Sequence, residues 1–282
     1  MKFGLLLAST LLALTPGLTQ AQRCAKPVFL TFDTGHMGVA PLIAETLKRF
    51  DARATFFLAN EPTKTGGWTL DEEWAPWWRE RLAEGHDFGT HTWNHDTWLA
   101  DLPAPDGALA GEVTRFKVST AAGEQVAVRH EITAEQYCAS LKQVSARFSE
   151  MTGQPMGPIF RAPGGKTSPA LQSAAQKCGY VHVGWSASGF LGDELSSERY
   201  PNALLLERAL KNIKPGDILM AHLGIWSRQE PWAPAVLEPL LQGLKDQGMC
   251  FAPLREHPRY RTLFKMAGLL QAAPATKDAS HD

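Results

Sequence analysis

Two histidines, His91 and His95, stand four residues apart in the stretch His91-Thr92-Trp93-Asn94-His95. On a helical turn that spacing sets both imidazoles on one face, where they can grip a single metal ion. The pair alone is a weak signal, because two surface or capping histidines look the same. Its weight comes from what else the chain carries in comparable places. Asp33, Thr34 and His36 close one apolar run, Arg161 closes a second and His222 a third. The inventory is then a carboxylate, a histidine pair for a metal, a cation and a lone histidine. Metal-assisted hydrolysis of an amide or ester uses that set.

The elements that must position these residues alternate along the chain. Pro27 to Asp33, Ala54 to Ala59, His86 to His91, Pro158 to Arg161, Tyr180 to Trp185, Asp217 to His222 and Met249 to Pro253 read as short buried strands. Val39 to Phe50, Asp71 to Ala83, Ala134 to Met151, Ser168 to Cys178, Asn202 to Asn212 and Pro234 to Gln247 read as helices. One of these carries its own punctuation, with Ser168 at the cap, Pro169 first and Gly179 just past the end. Strand and helix joined by short links predict right-handed crossovers and a parallel sheet. A closed barrel and an open doubly wound sheet both satisfy the pattern. In a barrel the polar strand ends converge on one mouth. Residues 101–133 interrupt the alternation. There, Phe116-Lys117-Val118 and Gln125 to Val128 flank Ala121-Ala122-Gly123-Glu124, which predicts a β-hairpin inserted after the third strand.

The 282 residues are 44% hydrophobic and 20% charged, enough to bury a sizeable core. A net charge of −1 without a long basic run argues against a nucleic-acid partner. Residues 1–21 read as a signal peptide: Lys2, the apolar run Phe3 to Leu14, then Thr19-Gln20-Ala21 as the cleavage site. That run is short for a membrane span, so the mature protein is expected to be exported, to the periplasm or outside the cell, with no span of its own. Residues 265–282 are expected to form a loosely held tail.

Four stretches together resemble the ordered motifs of the polysaccharide deacetylases, the NodB-homology or carbohydrate esterase family four group. They are Thr31-Phe32-Asp33, His91 to His95, Phe160-Arg161-Ala162-Pro163-Gly164-Gly165 and Leu219-Met220-Ala221-His222. The resemblance implies one domain over residues 26–260, an α/β fold of the distorted (β/α)7 barrel type. It implies an exported, metal-dependent hydrolase that removes N-acetyl groups from amino sugars of a polysaccharide or cell-wall glycan. His91, His95 and the residue at position 34 would hold a divalent ion, expected to be zinc. Asp33 would be the general base, Arg161 its positioning cation and His222 the acid for the leaving amine, oriented by Asp193. The Gly164 amide would face the oxyanion, and Trp226 is taken as a stacking face for a sugar ring.

The sequence departs from the family pattern in three places. Thr34 stands where the family has a second, metal-binding Asp, which predicts a weak site unless His36 completes it. Asp193 is displaced from its usual motif and lacks the Trp that goes with it. Gly164 replaces a Tyr, which removes one wall of the sugar groove. Two other functions fit less of the chain: a deformylase-type amide hydrolase on the same scaffold, and a non-catalytic glycan-binding protein with a degraded metal site. The four cysteines are expected to pair as Cys24–Cys250, across the first and seventh strands, and Cys138–Cys178, on the helices flanking the fourth.

Overall fold

The computed structural model describes residues 24–103, 113–120 and 127–270. The expected signal peptide, the expected hairpin turn at 121–124 and the end of the expected tail, from residue 271, lie outside the described residues. Seven parallel strands form the main sheet: β1 (Pro27–Asp33), β2 (Thr55–Leu58), β3 (Asp87–Thr90), β7 (Ile159–Phe160), β8 (Val181–His182), β9 (Ile218–His222) and β10 (Cys250–Phe251). The order is β9-β1-β2-β3-β7-β8, with β10 paired to the first residues of β1. No regular ladder joins β8 to β9. Residues 186–191 span the gap: Ser186 N donates to Ile218 O at 3.0 Å, Met220 N to Gly189 O at 2.8 Å and Leu191 N to Met220 O at 3.1 Å. The fold is α/β, and the barrel is distorted at this seam.

Alternation along the strands sorts side chains onto two faces. Val28, Leu30 and Phe32 of β1, with Phe56 and Leu58 of β2, face outward into a core shared with the helices. Those helices include α1 (Ala40–Arg49), α2 (Ala75–Ala83), α5 (Asn202–Asn212) and α6 (Leu237–Asp246). Phe29, Phe57, Ile159, Val183 and Ile218 fill the other face, inside the barrel. Asp33 is two and four residues beyond Thr31 and Phe29, so the same alternation carries it to that inner face at the mouth.

The insertion is larger than the expected hairpin. It is a three-stranded antiparallel sheet of β4 (Thr97–Pro103), β5 (Val113–Thr120) and β6 (Val128–Thr133), and it begins four residues earlier. β4 was hidden in the sequence because Pro103 and Pro105 dominate the composition there. Phe116 and Val118 bury one face of this sheet against Tyr137 and Leu141 of α3 (Ala134–Thr152) and Leu171 of α4 (Pro169–Lys177). Thr133 and Gln136 close a capping box at the start of α3. Ser168, the cap of α4, also donates to Asp101 of β4 at 2.6 Å.

The start of the expected tail is docked rather than loose. α7 (Arg261–Met266) carries Phe264 into the barrel interior, with Leu269 and Leu270 packed beside it. Both expected cysteine pairs are disulfides, Cys24–Cys250 with Cα atoms 5.8 Å apart and Cys138–Cys178 at 6.0 Å. Among the described residues, no helix is long and apolar enough to cross a membrane.

Candidate active site

The strand register brings the chemistry to one level. Asp33 is the cross-strand partner of His222 on β9, and Thr90, just before His91, pairs with Phe160, just before Arg161. Amides following each strand lock these ends together: His91 N donates to Leu58 O at 2.7 Å and Arg161 N to Thr90 O at 3.0 Å.

Arg161 is fully buried. Its Nη1 donates to Asp33 Oδ1 at 2.8 Å, and Nε and Nη2 reach the carbonyls of Val183 and Gly184 at 3.3 and 3.4 Å. The guanidinium lies 4.3 Å over the Phe57 ring. A buried carboxylate and cation are tolerable only when paired and hydrogen-bonded in this way. Burial alone would raise the Asp33 carboxyl, but Arg161, His91 and His222 outweigh it and hold Asp33 below the usual carboxylate range.

His91 Nδ1 faces the Arg161 carbonyl at 2.9 Å, so Nδ1–H donates and Nε2 keeps its lone pair, 3.6 Å from Asp33 Oδ2. Burial pushes this imidazole down to about 4 against the pull of Asp33, which leaves it neutral, the form that binds metals. The His95 ring stands edge-on to it, centroids 4.9 Å apart. The helical turn expected for this pair is absent. Residues 91–96 form an open turn with Thr92 at φ 65° and His95 at φ 53°. Trp93 N donates to Ser140 Oγ, Asp96 N to Thr92 Oγ1 and Asn60 N to Trp93 O, which over-determines this costly backbone.

His222 and Asp193 meet as expected. Asp193 accepts from His222 N at 2.7 Å, and both its oxygens lie 3.1 Å from His222 Nδ1. Burial would lower the imidazole, yet Asp193 and then Asp33 raise it to about 9. Gly164 is exposed at φ 63° in the short 3₁₀ turn Pro163–Gly165, and Trp226 is half-exposed, edge-on to His36.

Thr34 corrects the expectation of a metal-ligating hydroxyl. It is fully buried, its Oγ1 donates to Glu61 Oε2 at 2.5 Å, and it accepts from Ala59 N at 3.1 Å. The hydroxyl is engaged in holding a carboxylate. His36 is also occupied, its Nδ1 accepting from Gly38 N at 2.9 Å. The approach of the β1 and β9 loops depends on Gly35 at φ 77°, where a Cβ would sit 2.1 Å from Gly224 O. Glu61 itself was missed in the sequence. Its one signal was position, three residues past β2, at the same level as the other polar strand ends. Among the described residues, no three His, Cys, Asp or Glu side chains are already gathered into a set able to hold a metal.

A family model described as Polysaccharide deacetylase matches residues 20–183, more than half of the chain. The chain is 25% identical over 237 residues to a peptidoglycan-N-acetylglucosamine deacetylase of Bacillus cereus, covering 84% of this chain and 90% of that one. Its fold resembles a family 4 acetyl xylan esterase from Clostridium thermocellum, solved with a cobalt ion (TM-score 0.57, 20% identity, 86% of this chain and 93% of that one). It also resembles a CE4 family pseudoenzyme from Bacillus anthracis (TM-score 0.56, 18% identity, 82% of this chain and 65% of that one). His222 and Asp193 fall beyond the span of the family model. The ordered strand ends and the matched span lead to one conclusion: the chain belongs to the polysaccharide deacetylase family, a family of enzymes.

Proposed function

We propose that the protein is an exported, metal-dependent hydrolase that removes N-acetyl groups from the amino sugars of a polysaccharide or cell-wall glycan. The observation that carries this reading is the pairing of Asp33 with Arg161 on one side of the mouth and His222 with Asp193 on the other. One carboxylate is kept ionised and one imidazole is kept protonated, the two states an amide hydrolase needs together. Export is supported by the two disulfides, which persist in oxidising compartments.

In this mechanism Asp33 takes a proton from the attacking water, and Arg161 keeps the carboxylate aimed and charged. His222 gives its proton to the amine nitrogen as the C–N bond breaks, releasing acetate and a free amino sugar. Asp193 orients the ring and stabilises its positive charge; the proton taken up by Asp33 and the one given up by His222 are exchanged with solvent before the next turnover. The Gly164 amide, in the exposed tight turn that follows Arg161, is the backbone donor assigned to the developing oxyanion. Trp226 offers an exposed ring on the rim for a sugar face. The donor chemistry suits zinc, because His91 presents a neutral ring nitrogen with His95 beside it. A divalent ion held there would polarise the amide carbonyl and acidify water.

The test is a panel of N-acetylated glycans scored for released acetate, with and without added zinc. Acetate release that rises with zinc is expected. Asp33→Asn and His222→Ala, folded by circular dichroism, should each lower turnover by about 10²–10⁴-fold. Formate in place of acetate would move the assignment to a deformylase. Metal binding without any freed amine would leave a glycan-binding protein.

A further inference from the structure

We infer that Glu61 is the anionic ligand of the metal site, delivered from the end of β2 and held in place by Thr34. This inference rests on His91 and His95 being the metal-binding pair. Two imidazole ligands bring no negative charge to a divalent ion, and a carboxylate beside them supplies it. The segment that carries Glu61 runs beside that pair, with His91 N donating to Leu58 O at 2.7 Å and Asn60 N to Trp93 O at 2.9 Å, and Asp33 Oδ2 lies 3.6 Å from His91 Nε2. Asp33 is committed to Arg161, whereas Glu61 is bound only by neutral donors.

Both donors reach one oxygen of Glu61. Thr34 Oγ1 and Gly35 N donate to Oε2, at 2.5 and 2.7 Å. Oε1 receives neither. The backbone of Glu61 is fixed as well, with Glu61 N donating to Thr69 Oγ1 at 3.1 Å and Thr69 N to Glu61 O at 2.9 Å. A ligand oriented through its second oxygen by a hydroxyl and an amide is how outer partners prepare a carboxylate for a metal. The three side chains are not yet a closed ligand set, so the carboxylate completes the set as the ion binds. The Thr at position 34 is thereby explained: it supports a carboxylate from the neighbouring strand instead of carrying one.

The experiment is calorimetric titration of the metal-free protein with zinc chloride, alongside Glu61→Gln, Thr34→Val and His91→Ala. Glutamine keeps an acceptor for Thr34 and Gly35 and removes only the charge, so the thermal midpoint of the metal-free variant should match wild type. Zinc affinity is expected to fall by at least ~10–100-fold in Glu61→Gln, and within about that range in Thr34→Val. Unchanged zinc affinity in Glu61→Gln, with His91→Ala losing the metal, overturns the role of Glu61 and leaves the histidine pair standing. If His91→Ala also binds normally, or wild type binds no zinc, the histidine reading itself fails and this inference with it. Should Glu61→Gln not fold, unchanged affinity in Thr34→Val is the overturning result.

Discussion

At the scale of single residues, the site works by setting two neighbours apart in protonation. Asp33 and His222 are cross-strand partners, yet one is held ionised and the other protonated, because Arg161 sits on the first and Asp193 on the second. His222 is raised to about 9, so the proposed acid is present at neutral pH and lost as pH climbs through that value. The same shift contributes stability that is complete below the ordinary histidine value of about 6.5 and disappears through about 9. Asp193→Asn removes the largest raising influence and lets burial dominate. We expect the alkaline limb of the kcat/KM profile to move towards acid in that variant, and the stability lost between these pH values to vanish. An alkaline limb left in place, with the His222 ring titrating as in wild type by NMR, would show that Asp193 does not govern the acid.

At the scale of elements, the seam between β8 and β9 is where the barrel is most exposed to damage. Gly189 lies on the bridging segment, and a Cβ there would come within 2.0 Å of Ile218 O. Gly189→Ala should cost about 1–3 kcal/mol in denaturant unfolding, as overpacking does. It should also lower activity, since Asp193 is four residues further along the same segment. A variant with wild-type stability would mean that the seam gives way freely. This region also marks the limit of what the sequence made legible. The parallel strands were readable because each is a short apolar run punctuated by Gly or Pro, and their polar ends could be aligned. The site residues on those ends, Asp33, Arg161 and His222, followed. The bridge at 186–191 was not readable, because it pairs without strand composition. Nor was the left-handed turn at Thr92 and His95, because a β-branched Thr disfavours positive φ and the His-x-x-x-His spacing reads first as a helical turn. Glu61 went unseen for a different reason: position 34 was judged on its own side chain, when the charge arrives from the adjacent strand.

At the scale of the whole molecule, two disulfides clamp different things. Cys138–Cys178 ties α3 to α4, the helices on which the inserted sheet rests. Cys24–Cys250 joins the first described residue to β10 over a separation of 226 residues. In the chain-entropy account, a loop of that length is worth on the order of 5 kcal/mol. Cys24→Ser with Cys250→Ser should lower the unfolding free energy by several kcal/mol, and an equal midpoint under reducing and non-reducing denaturant would contradict that. The long bond also imposes an order on how the protein is made. Synthesis runs from the amino end, so Cys24 emerges as a thiol long before its partner exists. The first cysteine to follow it is Cys138, then Cys178, and both belong to each other. An oxidant that joins cysteines as they appear would therefore link Cys24 to Cys138 and leave the barrel unable to seat its last strand. Maturation then depends on a disulfide isomerase, or on the thiol of Cys24 staying reduced until β10 has docked beside β1.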